Sequence, residues 1–117
     1  ISAGSSYLMQ LGSGSIQTTG YAGLGNYIAS ASTVSQYSST AGLVIVSLGA
    51  GSPADVVATF IRQSGNIWLG TYLGVSGGYG LSGITSVALS GVLDRLRLTT
   101  ISGTDTFDAG SFNILYE

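Results

Sequence analysis

Along the chain, short runs of branched and aromatic residues are separated by Gly, Ser and Asn, the pattern of strands joined by turns. In SYLMQL, Tyr7, Met9 and Leu11 share one face. Residues 12–42 are the least readable stretch, Gly- and Tyr-rich, with YIAS and TVSQY as short strands inside it. GLVIVSLGA is nearly apolar on both faces and predicts a strand in the middle of a packed sheet. NIWLGTYLGV places Gly70 and Gly74 on the face that carries Trp68 and Tyr72, which predicts close backbone approach or coverage by a ring. SGGYGLSG reads as a loop. ITSVALS and DRLRLTT then alternate, with Leu96 and Leu98 inward and Arg95 and Arg97 outward.

One segment fits two elements. SPADVVATFIRQSG can be a helix, with Ser52 as N-cap, Pro53 in the first turn and Gly65 past the end. Against this, Val56, Val57, Thr59 and Ile61 are β-branched, and SGN reads as a hairpin turn into NIWLG. Propensity favours the strand. About eight antiparallel strands with no convincing helix predict an all-β domain spanning 1–117, a β-sandwich or jelly roll. Such a fold must hide its sheet edges and apolar faces, and self-association is one way to do so.

Composition sharpens this picture mainly by exclusion. Hydrophobic residues make up 44% of the 117, enough for a modest core, while only 7% are charged. There is no Lys, the net charge is −2, and the cations are Arg62, Arg95 and Arg97, so the clustered charge that nucleic acid requires is missing. Without Cys the chain has neither disulfides nor thiolate ligands. No apolar run approaches the ~18 residues of a membrane-spanning helix, so no membrane insertion is expected. The start, ISAGSSYLMQ, lacks a basic n-region and an apolar h-region and reads as a cut inside a longer protein.

The last third carries a further pattern. SGVLDRLRLTT, a polar loop and FDAGSFNILYE resemble the final two strands of the tumour-necrosis-factor and complement-head superfamily. There a strand on a G-D-x-L theme precedes an acidic or Gly-Ser turn, and a last strand runs through the centre of a trimer. The matching residues are Asp94, Leu96 and Leu98, then Phe107, Gly110, Phe112, Ile114 and Leu115. The Gly-, Ser- and Thr-rich, Lys-free chain and its close are also similar to the C-terminal tips of bacteriophage tail fibres and tail needles. The resemblance implies a jelly-roll protomer in a parallel homotrimer, joined to a shaft through residues 1–6. Phe112, Ile114, Leu115 and Tyr116 would then lie at the trimer interface. It further implies an extracellular place at the tail tip of a virion, and adhesion to a host-cell glycan or protein. A purely structural trimerisation or capping knob, and a cytokine- or complement-like ligand head, are the alternatives.

The side chains that could carry chemistry are few. With neither His nor Cys, the usual nucleophile–base pairs are missing, and no enzyme and no cofactor is expected. Asp105 and Asp108 are a weak calcium candidate, because two carboxylates fall short of the usual ligand count. An Asx turn before the closing strand explains them as well. Arg95 and Arg97 would line an anion pocket if repeated around a threefold axis, or serve as ion-pair partners of Asp94 and Glu117. Trp68, Tyr72 and Tyr79 are the candidate glycan contacts, with Trp68 weighed also as core, and Tyr21, Tyr27 and Tyr37 lie in a second Gly-rich region. The run Phe112, Ile114, Tyr116 is expected to form a closing strand with one face on the protomer core.

Overall fold

The structure, a computed structural model, describes residues 6–48, 53–103 and 110–115. It holds nine strands and no helix among these residues, arranged as two antiparallel sheets packed as a sandwich. The strands are β1 (Tyr7–Ser13), β2 (Ser15–Ile16), β3 (Gly23–Ser30), β4 (Thr33–Ser39), β5 (Leu43–Ile45), β6 (Asp55–Ser64), β7 (Ile67–Ser76), β8 (Tyr79–Ala88) and β9 (Arg95–Thr100). The larger sheet runs β4-β3-β8-β7-β6. In the smaller one β1 is central, with β9 along one side and β5 and β2 sharing the other.

The ambiguous segment is strand β6. The competing helix loses because β6 pairs with β7 over its whole length. Gly65 stands first in the two-residue turn between Ser64 and Ile67 with φ +52°, a conformation that suits glycine and the hairpin twist. SGGYG, expected as a loop, is mostly strand. Gly77 and Gly78, both at positive φ, make a two-residue turn, and Tyr79 already pairs with Ser76. The runs YIAS and TVSQY lie within β3 and β4.

The connectivity differs from a jelly roll. A jelly roll passes two Greek keys across both sheets, whereas here the hairpins β3–β4, β6–β7 and β7–β8 each stay within the larger sheet. The chain crosses between the sheets four times, at β2 to β3, β4 to β5, β5 to β6 and β8 to β9. The expected closing strand is corrected too. Residues 110–115 belong to no strand, and Phe112, Ile114 and Leu115 are exposed, Leu115 at 89%. Alternation makes an apolar stripe but supplies no ladder partner, and within one protomer this segment pairs with neither sheet. Tyr116, Phe107, Asp105, Asp108 and Glu117 lie outside the described residues.

The core sits between the sheets. Leu43, Ile45, Tyr72 and Leu81 form one cluster, against which Tyr7, Met9, Val56, Ala58 and Phe60 pack. Leu11, Tyr21, Val87 and Leu89 form another, joined by Phe60, Trp68, Leu93 and Leu96. β1 is buried on both faces, not one. Leu8 packs with Val44 and Val46, while Gln10 beside it is also buried. β5 is buried throughout as expected, yet pairs with β1 alone and is not mid-sheet.

On its inner face the larger sheet alternates rings with glycines. Phe60 pairs with Gly70, and a Cβ on Gly70 would run into that ring. Tyr37, Gly25, Gly83 and Tyr72 stand in one cross-strand row, so the Tyr72 ring lies over two bare backbone positions. A Cβ on Gly83 would sit 2.9 Å from Tyr72 Cδ1 and 2.7 Å from the Leu24 carbonyl oxygen. The Tyr72 hydroxyl then reaches across to the smaller sheet and accepts the Val46 N–H at 3.3 Å. The prediction of ring coverage at Gly70 is borne out.

Candidate functional site

The residues singled out from the sequence separate into core, network and surface. Tyr72 is only 2% exposed, and burial raises its hydroxyl pKa above the ordinary tyrosine value. Its role is to span the sandwich, so it is withdrawn as a glycan contact. Trp68 is half-buried against the Leu11 cluster, which supports the core reading. Tyr21 is also core. Its hydroxyl accepts the Leu11 N–H at 2.8 Å and lies 2.9 Å from the Gln17 carbonyl, its pKa likewise raised by burial. These bonds tie β1 to the chain just beyond β2.

Arg95 and Arg97 do lie on one face of β9, with Leu96 and Leu98 on the other. Both guanidinium groups are engaged within the protomer. Arg97 donates Nε–H and Nη2–H to Gln10 Oε1 at 2.8 and 2.6 Å, and Gln10 Nε2 donates to the Ala41 carbonyl at 2.8 Å. A buried glutamine thereby has partners for both ends of its amide, and three segments are joined. Arg95 pairs with Asp94, Nε to Oδ1 at 2.8 Å. Asp94 also accepts the Gly14 N–H, 3.2 Å from each oxygen, capping the tight β1–β2 corner. The Arg95 bond, then the Gly14 bond, hold the Asp94 carboxyl below the usual aspartate range, and the same pair raises Arg95. These arginines therefore act first as structural links. Among the described residues no three His, Cys, Asp or Glu side chains come close enough to hold a metal, and Asp105 and Asp108 lie outside them.

Two surfaces remain. The first is aromatic. Tyr27 stacks with Tyr37, ring centroids 6.4 Å apart at 25°, and meets Tyr79 at 5.8 Å and 32°. β3, β4 and β8 each supply one ring, on the inner face beside the β7–β8 turn. Tyr27 anchors the group by packing on two core clusters, while Tyr37 and Tyr79 are partly open to solvent. Sequence reading picked out Tyr79 alone as exposed. Diagonal neighbours on adjacent strands meet only once the register is known.

The second surface is the outer face of the larger sheet. Its central cross-strand row is Gln36, Asn26, Ser82, Leu73 and Val57. Rows on either side hold Val34, Ile28 and Val75, and Leu24, Ile84 and Thr71. Ser82 Oγ and Asn26 Oδ1 are hydrogen-bonded at 2.7 Å. A shallow open hollow of about 440 Å³ follows this polar row, lined by uncharged residues only. A second hollow of about 590 Å³ lies along Tyr21–Leu24 and Ser38–Thr40, again without charge. No signal in the sequence separated this face from the inner one, because the apolar residues of β3 point outward and its glycines point inward.

No family model, curated protein or solved structure matches the chain.

Proposed function

We propose that the chain is the non-enzymatic tip of a phage tail fibre or tail needle, a homotrimer that attaches to a glycan or protein on the host-cell surface. The observation behind this reading is the tyrosine group Tyr37, Tyr27 and Tyr79. Three rings from three strands are held at fixed spacing on a rigid sheet, so little side-chain freedom is lost on contact. Rings with a polar tip suit the mixed apolar and hydroxyl surface of a sugar. Each contact would be weak, and threefold presentation would multiply it. Binding of the wild-type chain to host cells and to a glycan array, against Tyr37→Ala and Tyr79→Ala, tests the reading. Loss of binding with unchanged circular dichroism is expected. Full retention in both variants would remove the tyrosines from the mechanism.

The outer apolar face favours a second reading, a knob whose task is assembly and capping with no receptor. A chain that assembles but binds no cell and no glycan would decide for it.

A further inference from the structure

We propose that the outer face of the five-stranded sheet is the surface on which a second copy of this chain packs. The proposal rests only on the part of the trimeric-tip reading in which the chain assembles with copies of itself. One face meeting its own copy is a twofold contact, so it pairs protomers and is separate from a threefold one.

A sheet face that meets water ordinarily shows polar residues at its outward positions. Here the outward positions of β7 are Ile67, Leu69, Thr71, Leu73 and Val75, with Val57 and Ile61 beside them on β6. Leu73 and Val57 are 72% and 74% exposed, although β7 is paired on both sides and β6 is paired with β7 along its length. Five strands at about 4.8 Å and about eight residues at ~3.3 Å give a footprint of about 600 Å². Polar Gln36, Asn26, Ser82, Thr71 and Thr59 share this footprint, so it measures the whole face and not one apolar patch. Side-chain relief brings its accessible area toward the ~800 Å² that each partner gives to a stable interface.

Charge and polarity select the occupant. Among the described residues the only charged one on this face is Asp55, at the start of the edge strand, so a copy of the face meets no repulsion. The same lack of cations leaves nothing to hold an anionic lipid headgroup or a nucleic acid. A purely apolar partner is disfavoured by Gln36, Asn26 and Ser82, whose amides and hydroxyl would be buried there without new partners. A copy of this row supplies them, since an amide both donates and accepts.

Sedimentation of the chain as it stands, with Leu73→Glu and with a Phe112→Ser/Leu115→Ser variant, tests the assignment. The wild type is expected to associate in the micromolar range, and Leu73→Glu to weaken this at least about 100-fold, since it would place a carboxylate in the contact. Circular dichroism should not change, because Leu73 is outside the core. The chain has no Cys, so Leu73→Cys carrying a nitroxide gives an independent readout, its spectrum broadening as concentration rises. An oligomer unmoved by Leu73→Glu but dissolved by the Phe112/Leu115 change would overturn this surface and leave self-assembly standing. A monomeric wild type would end both. Binding of the unassembled chain to neutral phosphatidylcholine vesicles would make lipid the occupant and refute the copy.

Discussion

Gly83→Ala is the most direct probe of how the sandwich is held together, with Gly80→Ala on the same strand as its control. At Gly83 an added methyl would lie 2.7 Å from the Leu24 carbonyl oxygen and 2.9 Å from Tyr72 Cδ1. Neither neighbour can move cheaply. The carbonyl belongs to the paired strand β3, and the ring is held by its hydroxyl bond to the Val46 N–H and lies against Gly25. Overpacking of this kind costs roughly 1–3 kcal/mol, and a backbone contact puts the value at the top, about 3 kcal/mol. For a chain of this length that lowers the melting temperature by about 12 °C. A methyl at Gly80 would meet no atom within 4 Å, and φ there is not positive, so its alanine variant should be neutral or gain about 0.5 kcal/mol through the unfolded state. Thermal and urea unfolding followed by the single half-buried Trp68 reads both. Repeating Gly83→Ala in a Tyr72→Leu background should recover more than about 1 kcal/mol, because the methyl then meets a shorter side chain. Equal midpoints for Gly83→Ala and Gly80→Ala would show that the Tyr72 ring does not rest on Gly83.

Two further outcomes are expected. Thr85 is wholly buried, and its hydroxyl finds no hydrogen-bond partner among the described residues, so Thr85→Val keeps the shape, removes an unpaired polar group and should raise stability by about 1 kcal/mol in urea titrations. A loss of stability instead would mean that the hydroxyl has a partner. The Asp94 carboxyl is held below its ordinary range by Arg95 and Gly14, so its contribution is present above the unfolded aspartate pKa and is lost as pH falls through the lower folded value. Unfolding midpoints between about pH 5 and about pH 2 should therefore fall more steeply for the wild type than for Asp94→Asn, and added salt should narrow the gap. Parallel curves would refute a role for this carboxylate in acid sensitivity.

The sequence disclosed strands better than it disclosed faces. β7, β9 and the second half of β8 follow from alternation, and β6 from its β-branched residues and the turn at Gly65, because these are local properties; the Gly77-Gly78 turn and the start of β8 were read as a longer loop. The arrangement around Gly25 and Gly83 was not legible, since glycine at an inward position means something only once Tyr72 is known to cover it. β3 illustrates the difficulty, as Leu24 and Ile28 stand on the solvent side while Gly23 and Gly25 are buried. A reader who puts apolar residues inside reverses that strand. The closing strand failed for a related reason, because a stripe such as Phe112 and Ile114 specifies a face and not a partner. Of the candidate site, Tyr79 was anticipated as a contact; its neighbours Tyr27 and Tyr37 come from far along the chain and meet it only through the β3–β8 and β3–β4 registers.

The pairing of the first strand with the last bears on the order in which this molecule folds. Tyr7 stands opposite Thr100 and Gly12 opposite Arg95, so β1 finds its long partner only when nearly the whole chain is available. The meander β6-β7-β8 needs only its own two-residue turns, and such local hairpins close early. On a ribosome β1 emerges before the other strands of this sandwich, bearing Leu8, Met9 and Leu11, and waits with these side chains uncovered while the larger sheet forms. The smaller sheet is then the slow step of folding, and the interval before it closes is when the new chain is most exposed to aggregation.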